Sequence, residues 1–94
     1  MAMPDMDDQR SGYPVVVRLW AGARAVARRD EVVVEGLVEG STVATVTDRL
    51  LAECPDLYRV LSVSSLLLDG LAVSGDRVLN GPATLDVLPP FAGG

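Results

Sequence analysis

The sequence predicts an α+β fold in which a mixed, curled sheet wraps one main helix. Three observations point to it. Only one segment, residues 43–54, carries an amphipathic stripe of helical period. Apolar, β-branched runs bounded by turn residues stand on both sides of that segment. A chain of 94 residues supports a single core, so the helix must bury its stripe against the sheet.

The elements follow in order. Residues 1–13 carry Asp5, Asp7, Asp8 and Arg10 with no apolar periodicity, and a disordered leader is expected there. The domain is expected over 14–90, with a flexible tail over 91–94. Residues 15–20 (VVVRLW) read as an interior strand in which Arg18 is the only charge. A short helical turn is expected over 24–29, then a second strand over 31–35, with Gly36 and Gly40 bracketing an irregular link. Ser41 or Thr42 can cap the main helix, whose stripe is Val43, Val46, Leu50 and Cys54, widened by Leu51. Pro55 makes Cys54 the expected last helical residue.

A turn over 56–61 should lead into a strand over 63–68. Asp69-Gly70 is a two-residue hairpin signal that returns the chain into a short strand over 71–73. Asn80-Gly81 marks another turn before the last strand, 83–88. There Ala83, Leu85 and Val87 form an apolar face, opposite a mixed face of Thr84, Asp86 and Leu88. Pro89-Pro90 then removes two amide donors and ends the strand. Strand, strand, helix, strand, short strand, strand is the order of a β-grasp. Its crossover helix lets the first and last strands lie side by side mid-sheet.

Composition narrows the chemistry. There is no His, so the usual general base near neutral pH and the commonest metal ligand are missing. A single Cys excludes an internal disulfide and a multi-Cys zinc site. A net charge of −5 and a pI near 4.4 argue against a nucleic-acid binder. No apolar stretch nears the roughly 20 residues of a membrane span, and the start lacks the order of a signal peptide, so a cytoplasmic protein is expected. Asp48 and Glu53 do not share a helix face. Cys54 fits the helix stripe as an inert thiol. Gly36 and Gly40 lack phosphate-loop spacing. Arg24, Arg28 and Arg29 form the basic cluster, either paired within the molecule or facing a partner. No catalytic residue of its own and no metal site are expected.

The C-terminal segment reads differently. The five residues from Pro90 through Phe91-Ala92-Gly93-Gly94 can reach about 15 Å from the domain when extended. Glycines without a Cβ would fit a narrow sleeve in a partner. These residues are the expected tail entering a partner's site. On the last strand, Leu88 is a candidate apolar contact, with Trp20 and Arg24 near the adjacent strand's end. Trp20 could equally anchor the core. An aromatic and an arginine beside an apolar spot suit an interface centre.

Trp20-Ala21-Gly22-Ala23-Arg24 and Leu88-Pro89-Pro90-Phe91-Ala92-Gly93-Gly94 carry a resemblance over residues 14–94. The chain resembles the small sulfur-carrier subunit of molybdopterin synthase, in the MoaD/ThiS-type ubiquitin-like family that also holds the thiamine and cysteine biosynthetic carriers. It departs from that pattern at Arg28, where the family often has Gly, and at residues 80–83, where an acidic turn is usual. The resemblance implies a β-grasp fold and no bound cofactor. It also implies that an E1-like enzyme uses ATP to adenylate Gly94, and that a persulfide enzyme converts Gly94 to a thiocarboxylate. The sulfur would then pass, in the large catalytic subunit of molybdopterin synthase, to a cyclic pterin precursor during molybdenum cofactor synthesis. The alternatives are a sulfur carrier for cysteine or thiamine synthesis, a protein modifier joined through Gly94, or an interaction module with an inert tail. With no Lys, the chain cannot build chains on its own lysines.

Overall fold

The structure, a computed structural model, describes residues 12–90. The strands are β1 (Tyr13–Leu19), β2 (Glu31–Leu37), β3 (Ser65–Leu68), β4 (Leu71–Val73) and β5 (Ala83–Leu88). The helices are α1 (Ala21–Ala27), α2 (Val43–Glu53) and α3 (Tyr58–Ser62), with a 3-10 turn over Pro55–Leu57. The sheet order is β2-β1-β5-β3-β4. β1 and β5 are parallel at its centre, and β2, β3 and β4 pair antiparallel outward from them. This is the mixed, curled sheet of a ubiquitin-like β-grasp.

Register decides what is buried. Val17 stands opposite Leu85 and Leu19 opposite Val87, and all four point inward with almost no exposure. Val43, Val46 and Leu50 of α2 are fully buried, so the helix stripe has the predicted phase. The first turn of α2 is closed by a capping box: Thr42 Oγ1 accepts from Thr45 N (3.3 Å), and Thr45 Oγ1 accepts from Thr42 N (3.1 Å). Val43 N and Ala44 N donate to the carbonyls of Arg77 and Gly75. The 74–79 loop thus satisfies amides that a helix start leaves open, and it carries Leu79 into the core.

Local differences from the sequence reading have local causes. β1 starts at Tyr13 and ends before Trp20, which is the N-cap of α1. The first helix covers Ala21–Ala27, ahead of the 24–29 turn expected. β2 runs on to Leu37 because Gly36, at φ +73°, absorbs a bulge against β1. β3 begins at Ser65 and not at 63. The carbonyl of Val60 accepts from Val63 N and Ser64 Oγ, which keeps that stretch coiled. Cys54 caps α2, its amide donating to Leu50. Asp69-Gly70 makes the expected hairpin, with φ +48° and +87°.

Candidate functional site

The sheet has an inner face covered by α2 and an outer face without a covering element among the described residues. Arg18 and Asp86 meet on the outer face because parallel pairing sets them opposite one another in register. Asp86 is 9% exposed and is the buried charged residue of the described chain. Its Oδ1 accepts from Arg18 Nε at 2.8 Å and from Trp20 Nε1 at 2.9 Å. The Arg18 guanidinium lies over the Trp20 ring, 5.4 Å from its centroid, within cation–π range. Leu67 of β3 stands opposite Asp86 on the other side.

The electrostatics follow from these contacts. Burial is the largest influence on Asp86 and pushes its carboxyl up. The hydrogen bonds from Arg18 and Trp20, with the Arg18 charge, together outweigh it and hold the group below the ordinary aspartate value. The hydrogen bond to Asp86, and then its charge, push Arg18 further up. The carboxylate is therefore an ionised acceptor shared by two donors.

Trp20 is 41% exposed and lies outside the buried core. Its amide donates to Val87 O at 3.3 Å, which places it beside the end of β5. The chain then turns into α1 through Ala21 at φ +46°, a left-handed geometry unusual for a residue with a Cβ. Leu88 is half-buried at the last position of β5. Arg24 is exposed, and its Nε lies 2.7 Å from Asp30 Oδ1. Arg18, Trp20, Arg24, Asp30 and Glu31 line one shallow groove of about 200 Å³. Trp20 and Arg24 are thus brought together, with Leu88 on the neighbouring strand. Phe91, Ala92, Gly93 and Gly94 lie outside the described residues, as do residues 1–11. The described chain reaches Pro89-Pro90 one step beyond Leu88.

The other candidates separate. Arg29 pairs with Glu53 across 3.7 Å, and Arg28 sits at φ +61° at the C-cap of α1. Cys54 is half-buried. No group of three His, Cys, Asp or Glu residues that could hold a metal ion occurs among the described residues. No helix among them is long and apolar enough to cross a membrane.

Sequence reasoning missed the joint role of Arg18 and Asp86, although a signal was present. Each is the only charge in its strand run. Pairing the first and last strands in parallel puts lone charges of opposite sign within reach.

No protein-family model matches the chain, and no curated protein matches it either. Solved structures do. SAMP1 from Haloferax volcanii superposes with a TM-score of 0.78 at 25% identity, covering 86% of this chain and 99% of that one. A putative molybdopterin converting factor, subunit 1, from Pyrococcus furiosus gives 0.73 at 23% identity, over 83% of this chain and 98% of that one. The small archaeal modifier protein 1 from Methanosarcina acetivorans gives 0.71 at 23% identity, over 88% and 98%. The chain has the fold of a small ubiquitin-like β-grasp protein, similar to the small archaeal modifier protein SAMP1.

Proposed function

We propose that this protein is a ubiquitin-like modifier whose working atom is the carboxyl carbon of Gly94. The observation that carries the reading is the placement of β5. It lies at the centre of a modifier-like sheet and runs directly into Pro89-Pro90, ahead of Phe91-Ala92-Gly93-Gly94. A carboxylate is a poor electrophile. An E1-like partner would join it to the α-phosphate of ATP with loss of pyrophosphate. A lysine amine of a target protein then displaces AMP and forms an isopeptide bond. ATP is bound by the partner, and the carrier supplies a rigid body, a docking face at Trp20, Arg24 and Leu88, and a thin tether. Extended glycines suit a close-fitting partner channel.

A second reading is favoured by the Leu88-to-Gly94 motif and by the likeness to a putative molybdopterin converting factor subunit. In it, the same adenylate is attacked by the terminal sulfur of a persulfide enzyme, AMP leaves, and a thiol releases a Gly94 thiocarboxylate. That species would serve molybdopterin synthase beside its large catalytic subunit, or cysteine or thiamine synthesis, in the cytoplasm. In neither reading do the carrier's own side chains catalyse the reaction.

Intact mass spectrometry after incubation with an E1-like enzyme and ATP tests both. With target protein present, the modifier reading expects a covalent adduct whose mass is that of target plus carrier less one water. With a persulfide donor, the carrier reading expects a gain equal to one oxygen replaced by sulfur. An unchanged mass in both reactions contradicts the proposal.

A further inference from the structure

We propose that Asp86 is a positioning residue which, through Arg18 and Trp20, fixes the exposed indole beside the root of the C-terminal tail before the activating partner arrives. The inference rests on the reading of Gly94 as the activated terminus and deepens it.

Stability alone does not account for the cluster. The Arg18 side chain is 46% exposed, and an ion pair open to water on one side contributes little to folding. Glu31 stands opposite Arg18 on β2 and Leu67 opposite Asp86 on β3, with Val16 and Thr84 the next pair along the same face. The carboxylate spends one oxygen on two donors from different parts of the chain, Arg18 in β1 and Trp20 at the start of α1. What this arrangement produces is an immobilised tryptophan that remains 41% exposed. Ordering such a side chain costs conformational entropy, although two-fifths of its surface stays in water. Once it is ordered in the free protein, that cost no longer falls on complex formation. Tryptophan and arginine are also the residues enriched where interface energy concentrates. The location fits the role: the Trp20 amide is bonded to Val87, the residue before Leu88, and the tail follows.

Trp20 is the only tryptophan, so its fluorescence anisotropy decay reports the motion of one indole. The decisive variant is Arg18→Met with Asp86→Leu, which removes both polar contacts but keeps the strands apolar. Asp86→Asn is its companion, because the amide oxygen can still accept from the indole N–H. Each is compared with the wild-type chain for anisotropy and for ATP–pyrophosphate exchange by the E1-like adenylating enzyme of the same organism, with carrier concentration varied.

The double variant is expected to fold, to show fast local indole motion, and to raise KM for the carrier about tenfold with kcat unchanged. Asp86→Asn is expected to keep the restrained indole and most of the affinity. A double variant with wild-type anisotropy, or with loosened indole and wild-type KM, overturns the inference. A wild-type chain that supports no exchange instead overturns the reading of Gly94, and the anisotropy comparison still decides whether Asp86 holds the indole.

Discussion

Arg18 and Asp86 face each other across the parallel β1–β5 pair, and their side chains close to 2.8 Å on the outer face of the sheet. The contact joins the first strand to the last, 68 residues apart. It therefore forms only when the crossover is complete and the two central strands are in register. An ion pair this distant in sequence cannot be made by a partly folded hairpin.

The pair gives stability a pH dependence of known sign. Asp86 holds its proton less tightly when folded than when unfolded. Its contribution is fully present above the ordinary aspartate value and is lost as pH falls through that value towards the lower folded one. Asp86→Asn should flatten this acid limb while leaving the neutral-to-alkaline profile parallel to the wild type. Urea melts across the acid range, at constant ionic strength, check it. An unchanged slope between the two proteins would assign the acid limb to other carboxylates.

Leu50→Ala should destabilise the domain by about 2–5 kcal/mol, since Leu50 is fully buried between α2 and the sheet and truncation leaves a cavity. In so small a domain this is a large fraction of the folding free energy. Chemical denaturation gives the number directly. A loss under about 1 kcal/mol would mean that the core collapses around the site.

Arg28→Gly should stabilise the protein by about 0.5–1 kcal/mol, because Arg28 holds a left-handed C-cap at φ +61° that glycine adopts without strain. The position is also one where the resembled carriers often have Gly. Thermal and urea melts should shift upward together. A neutral or lower midpoint would show that contacts of the Arg28 side chain outweigh the backbone strain.

Arg24→Ala should weaken docking of the activating partner while changing stability by less than about 1 kcal/mol, since the Arg24–Asp30 pair is well exposed. Titration of the partner, paired with a melt of the free protein, separates the two effects. Unchanged affinity would remove Arg24 from the docking face.

Much of this architecture was legible in the sequence, and the residues show why. The α2 stripe of Val43, Val46 and Leu50 is a local pattern, and the Asp69-Gly70 turn is a local backbone requirement. Both survive translation into the fold unchanged. The start of β3 was misplaced because Val63 looks like a strand residue, whereas the helical turn of Tyr58–Ser62 carries past it through bonds to Val60 and Leu61. Leu79 was missed because its burial comes from a loop that caps a helix distant in sequence. The Arg18–Asp86–Trp20 cluster was hidden for the same reason. Arg18 is readable alone as a lone strand charge and Trp20 as a candidate contact, but only non-local register brings them to Asp86. On the tail, Gly93-Gly94 was read from sequence and lies outside the described residues.

The central claim is that the free carboxyl of Gly94 carries the function, and appending one residue after Gly94 tests it most directly. The extension keeps every described contact but converts that carboxyl into a peptide bond, which cannot be adenylated. The extended protein should melt like the parent and bind the E1-like partner through the same body. Intact mass spectrometry with that enzyme, ATP and either a target protein or a persulfide donor should then show the wild-type chain modified and the extended chain unchanged. Full modification of the extended chain, with the added residue verified as still attached, would contradict the account.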